Sequence, residues 1–294
     1  MLITIITICI FLSFIVTAIN ILFFLYENVN NGGAKYFKEK LSMSIPNAVF
    51  ILFIQSIIFH IVILVLYPLA FFHKNGLSIK KTPPWYVKSL GMDSRPVIMI
   101  HGLYHNPSAW ILLKYMLYKN GFCNIFTFKY NSFNRDIFQV FSELRVALEK
   151  VKEIFPEEKI ILVGHSLGGL LARHYACLPD NDSKVEALVT LATPHYGSKL
   201  AVLGVGRLAR SLVYMGQDIL DMINEEEQHV SYGLNIYSSL DEYVLPEKSL
   251  HLPEKFISRH WTEERTSPLS HLGFTYYIPV LKNIMMFLKN TDKL

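Results

Sequence analysis

The sequence predicts an α/β fold: a mostly parallel sheet with helices on both faces, preceded by an N-terminal hairpin of two transmembrane helices. Three observations carry that expectation. Two uncharged apolar runs, residues 2–26 and 48–72, are each long enough to cross a bilayer as a helix. From residue 96 onward, short apolar stretches alternate with amphipathic ones, the pattern of a sheet covered on both faces. Within that alternation one serine, Ser166, stands between two glycines where an apolar run gives way to a helix.

The composition places the hairpin. Hydrophobic residues make up 51% of the 294 residues and charged ones 18%, with the excess concentrated in the first seventy. A cleaved leader fits residues 2–26 poorly: no basic segment precedes the run, it is too long, and no small-x-small site follows. Residues 48–72 hold only Gln55 and His60 as strongly polar members and show no polar stripe, so a second span is expected. Gln55 and His60 would then bond to the neighbouring span or sit near an interface. Lys35, Lys38 and Lys40 in the connecting loop nearly balance Lys74, Lys80, Lys81 and Lys88 beyond it, so the side holding the remaining chain stays open. Residues 73–95, with Pro83, Pro84 and Gly91, read as a juxtamembrane linker in which Trp85 and Tyr86 rest at head-group level.

Residues 96–294 form the second unit. Strands are expected at 96–100, 124–130, 159–163, 185–191, 232–237 and 255–261. Helices are expected at 107–118, 136–155, from 167, and at 276–288. In 136–155, Ile137, Val140, Phe141, Leu144 and Leu148 share one face. Residues 199–227 are mostly helical, with an apolar face interrupted by Gly204, Gly206 and Gly216. They read either as a mobile lid or as a packed cap, ending in a solvated Glu225-Glu226-Glu227 run. The net charge of +4 is modest, and nothing resembles a nucleic-acid module. Three cysteines make no disulfide framework, and neither C-x-x-C nor a histidine cluster marks a metal site; no cofactor is expected.

Chemistry enters at Gly164-His165-Ser166-Leu167-Gly168-Gly169, a G-x-S-x-G run after four apolar residues. In so tight a strand-to-helix turn, side chains two residues either side of the serine would clash, which requires glycine there. This segment, with His101-Gly102-Leu103 and Leu191-Ala-Thr193-Pro194-His195-Tyr-Gly197-Ser198, resembles lipases and acyl hydrolases of the α/β-hydrolase superfamily. The likeness extends to small bacterial triacylglycerol lipases and the GPI inositol-deacylase-like group. It covers about residues 93–294 and implies an α/β-hydrolase fold with Ser166 as nucleophile. It also implies an oxyanion hole from the backbone N–H groups of Leu103 and Leu167. His101 and His165 are then structural.

In that fold the acid and then the histidine follow the serine. Asp241 follows the penultimate strand in a Tyr-Ser-Ser-Leu-Asp run similar to that of small bacterial lipases. Glu242, its immediate rival, reads as a solvated surface charge, and Asp218 and Asp221 are weaker choices. Of His174, His195, His229, His251, His260 and His271, the last stands between the final strand and the closing helix; His260 is its competitor. A Ser166–His271–Asp241 triad acting on lipid or other acyl esters at a membrane is the expectation. A membrane acyltransferase using the same acyl-enzyme, an amide or thioester hydrolase, and a silent binding module stay open beside it.

Overall fold

The computed structural model describes residues 2–30, 32–40, 42–71, 74–83, 90–179, 184–227, 230–256 and 260–291. Trp85, Tyr86 and His229 lie outside them. Helix α1 (Leu2–Asn30) and α3 (Ile45–Leu66, prolonged by a 3-10 turn Tyr67–Ala70) flank a short α2 (Gly33–Lys40) in the connecting loop. Ser44 caps α3 by accepting from the Asn47 N–H, and Pro46 occupies its first turn, where a missing N–H costs nothing.

Strand β1 (Gly76–Leu77) comes from the expected linker and pairs antiparallel with β3, so the sheet begins before residue 96. Then follow β2 (Val97–Ile100), α4 (Ile111–Lys119), β3 (Ile125–Lys129), α5 (Ile137–Ile154), β4 (Ile160–His165) and α6 (Leu167–Ala176). The rest is β5 (Val185–Leu191), α7 (Arg207–Arg210), α8 (Gln217–Glu225), β6 (Tyr232–Tyr237), β7 (Trp261–Arg265) and α9 (Ile278–Thr291). The strand order is β1-β3-β2-β4-β5-β6-β7, parallel from β3 to β7.

Side chains alternate across this sheet as the pleat demands. Ile98, Ile100, Ile160 and Leu162 pack under α5 and α6, while Val97, Met99, Ile161 and Val163 pack under α4 and α9. Being covered on both faces, β4 is buried at every position, which is why its sequence is an unbroken apolar run. Asp136 and Gln139 close a capping box at the start of α5. The chain order reverses between β2 and β4, so the connections leaving their carboxyl ends diverge, which is where sheets of this kind place their sites.

Three expectations are corrected. The last strand is Trp261–Arg265, displaced from 255–261: residues 254–256 form a 3-10 turn, and the pairing with β6 starts at Gly233–Trp261. A Cβ on Gly233 would run into the Trp261 ring, so that glycine admits the indole beside the strand. Residues 199–227 are not one long helical stretch but a 3-10 turn (Lys199–Leu203) and the short α7 and α8. Leu208, Leu212, Ile219 and Met222 are buried as in a packed cap, whereas Val202, Leu203 and Val205 form an exposed apolar tip.

The third correction concerns α3. Ala48, Leu52 and Ser56, spaced by four, are fully buried, so the helix does carry an inward stripe. Gln55 and His60 lie beside it and bond to loops of the α/β unit rather than to α1. Ile21, Phe24 and Phe37 of the first two helices join Ala48 and Leu52 against Leu240 and Leu245. The opposite face is bare: Phe11, Leu22, Phe50 and Val65 are each more than three-fifths exposed.

Candidate active site

Ser166 is the pivot between β4 and α6, at φ 55° and ψ −124°, a conformation costly for a residue with a Cβ. The glycines around it have specific neighbours. A Cβ on Gly164 would enter the Gly168 backbone, one on Gly168 would enter the Ile100 carbonyl, and one on Gly169 would strike Thr193. Thus the Leu191–Pro194 run is tied to the elbow by packing: β5 ends where the helix behind the serine must pass.

Leu167 is the first residue of α6, so its N–H has no partner four residues back in the helix and points with the positive end of the dipole. Gly102 runs past the serine so closely that a Cβ there would stand 3.0 Å from the Ser166 Cβ. Tyr104, two residues on, has φ 58°; its N–H bonds to Ser132 Oγ, and its hydroxyl bridges the N–H and carbonyl of Val205 in the exposed tip.

Asp241 and His271 meet at the other side. His271 Nδ1 donates to Asp241 Oδ2 at 2.7 Å, while Asp241 Oδ1 accepts the N–H groups of Tyr243 and Val244, each at 2.9 Å. That anchorage leaves Nε2 as the basic nitrogen. Burial alone would lower the His271 pKa, but the contact with Asp241 and the charge of Glu242 outweigh it, and the net shift is upward. From the elbow, His165 Nε2 donates to the His271 carbonyl at 3.1 Å, with the two rings 4.9 Å apart. Burial, reinforced by the neighbouring histidines, holds His165 well below the usual imidazole range, so it serves as a neutral donor.

Glu242 is no surface charge. It is fully buried, accepting from the hydroxyls of Ser56 and Ser270 and, at 3.2 Å, from the His271 N–H. Burial and the Asp241 charge push its pKa up, against those hydrogen bonds. Its place beside Asp241 in the sequence does not show this, because the groups that bury it come from α3 and from the loop at Ser270 and His271.

The other histidines separate clearly. His101 is buried, stacked on Tyr130 at 4.2 Å and lowered by burial to a pKa of about 3. His195 lies between Arg173 and Asn235, and burial with the Arg173 charge keeps it neutral. His174 and Arg173 both contact Glu226, which is buried and ion-paired rather than the solvated end of a charge run; Glu225 and Glu227 on either side of it are exposed. His251 sits by Glu263, and His260 is exposed with Nδ1 near the Ser231 carbonyl. Neither touches Asp241. Among the described residues no group of three or more histidine, cysteine, aspartate or glutamate side chains could hold a metal.

A strained serine elbow beside an Asp–His pair at the switch point of a parallel sheet is matched by a family description. Residues 95–268 fit the model of the alpha/beta hydrolase fold. The chain belongs to that family. The chain is 52% identical over 40 residues to the GPI inositol-deacylase of Candida albicans, covering 14% of this chain and 10% of that one. It is 28% identical over 96 residues to triacylglycerol lipase 2 of Saccharomyces cerevisiae, covering 31% and 29% of the two chains. It thus spans less than a third of the length of either relative. Among solved structures, a monoacylglycerol lipase of Paleococcus ferrophilus superposes with a TM-score of 0.53 at 18% identity, over 67% of this chain and 96% of that one.

Proposed function

We propose that this hydrolase is a membrane-anchored serine esterase of the lipase type, cleaving carboxylic esters of lipids through Ser166, His271 and Asp241. The observation that supports the reading is the 2.7 Å Asp241–His271 contact, tied through His165 to an elbow that holds its serine at positive φ. Neutral His271 takes the Ser166 proton on Nε2 as Oγ bonds to the ester carbonyl carbon. The Leu103 and Leu167 N–H groups receive the oxyanion. Collapse breaks the carbon–oxygen bond, and the leaving alcohol takes the proton from His271. Water then gives a proton to His271 and its oxygen to the acyl carbon, releasing the acid and restoring Ser166.

Lipid as substrate draws on two supports. The relatives carry lipase and deacylase names. The hairpin beside the site also has two helices long and apolar enough to cross a membrane, Thr7–Asn30 and Ile45–Ala70, with their outer faces bare. Anchored there, the enzyme shares a surface with its substrate, which raises the effective concentration. Ser166 is 8% exposed, and the exposed apolar tip at Val202, Leu203 and Val205, which the Tyr104 hydroxyl ties to the loop after β2, is the proposed point of contact for an acyl chain.

The test is fluorophosphonate labelling of membranes carrying the protein. Labelling that vanishes in Ser166→Ala, with release of fatty acid from a glycerolipid by the wild type, is the expected result. Labelling that persists in the variant overturns the assignment of the nucleophile.

A further inference from the structure

We propose that Gln55, Ser56 and Glu242 are positioning residues for the general base, so that α3 of the hairpin forms one wall of the seat that holds His271. This rests on the reading of His271 as the base. Two arms reach from α3 to the loop before His271. Gln55 spans it with both ends of its amide: Nε2 donates to the Pro268 carbonyl at 3.1 Å, and Oε1 accepts the Ser270 N–H at 2.7 Å. One residue on, the Ser56 hydroxyl donates to Glu242 Oε1, which also accepts from Ser270 Oγ at 2.7 Å, while Oε2 takes the His271 N–H.

The backbone leading into the base is therefore pinned to a helix outside the α/β unit. Phe59 completes the wall. It lies against Gly273, where a Cβ would stand 2.6 Å from its ring, and stacks on Tyr276 at 6.3 Å. Bare polar groups on a helix this apolar would be expensive, and each of these is instead spent on the loop.

A carboxylate so placed also acts on the proton. The imidazole of His271 faces Asp241 and Glu242 from their shared loop, the His165 ring from the elbow and the Tyr243 ring at 5.1 Å. From α3, His60 meets the Tyr243 hydroxyl with Nε2 at 3.2 Å and donates from Nδ1 to the Ser56 carbonyl at 2.7 Å. Glu242 adds negative charge beside a group that must become imidazolium in the transition state.

The experiment measures hydrolysis of a soluble p-nitrophenyl ester by the full-length protein in detergent. The kcat is expressed per serine titrated to completion with fluorophosphonate, so an unfolded fraction drops out. Gln55→Met keeps the length and helix preference of the side chain but loses both bonds. It should lower kcat by about ten- to a hundredfold at unchanged KM, as misplacement of a reacting group does. Glu242→Gln should move the acid limb of the kcat/KM profile to lower pH, and Ile54→Ala, on the outer face of the same helix, should alter neither. An unchanged kcat in Gln55→Met together with an unmoved acid limb in Glu242→Gln overturns the positioning role. Wild-type protein that takes no label at Ser166 overturns the esterase reading instead.

Discussion

The elbow and the proposed acid–base corner solve one problem, holding a side chain still, by opposite means. Ser166 is held by backbone: β4, α6 and the end of β2 approach until only glycine fits at Gly164 and Gly168, and the strain at φ 55° has no room to relax. His271 is held by side chains drawn from three places: Asp241 and Glu242 beyond β6, His165 in the elbow, and Gln55 and Ser56 in α3. A backbone device leaves a contiguous signature in the sequence. A side-chain device is assembled from residues more than 200 positions apart and leaves none.

That contrast can be broken or sharpened by substitution, beginning at the corner. Asp241→Asn leaves the shape intact but spoils the His271 tautomer, and kcat should fall by about 10⁴-fold with the fold unchanged. If Glu242→Gln costs more than Asp241→Asn in the same assay, the two carboxylates have exchanged roles. At the elbow the cost should appear in folding rather than in rate. Gly168→Ala drives a Cβ into the Ile100 and His101 carbonyls and should leave little soluble, cooperatively melting protein. A variant that melts like wild type would show that the elbow can give.

Behind the elbow, Arg173→Met strands Glu226, buried with its side chain fully covered, and should destabilise by about 3–5 kcal/mol in denaturant titration. Its kcat per folded enzyme should stay close to wild type, since the network Arg173–Glu226–His195 does not touch His271. The pH profile is a gentler probe of the corner. His271 must be neutral to act, and its pKa is raised above the ordinary value of 6.5. Activity should therefore fall as pH drops through a midpoint above that value, and an acid limb below it would deny the carboxylates their effect. Smallest of all, Tyr104→Phe frees the tip at Val205 and should change KM for a long-chain ester by only a few-fold, leaving kcat alone.

The order of strands and helices was legible because burial on both faces writes unbroken apolar runs and amphipathic helices. Ser166 was legible because a turn too tight for a Cβ demands glycines at fixed spacing. Asp241 and His271 followed from chain order in the resembled family, and the structure brings those two together. The register of the last strand was not legible: residues 255–261 carry an apolar pattern, but the pairing is decided by where Trp261 finds room over Gly233.

Gln55 and His60 were visible as polar anomalies in an apolar run, yet what they face depends on a surface 183 or more residues away. Glu226 and Glu242 read as solvated charges because sequence reports a carboxylate's neighbours along the chain, whereas its burial is set by what packs over it. Local geometry, which depends on a few consecutive residues, is what the sequence by itself determined: the strands, the elbow and the apolar helices. The tertiary structure alone decided which polar groups are covered and by what, since burial and pairing depend on segments that meet only once the chain has closed on itself.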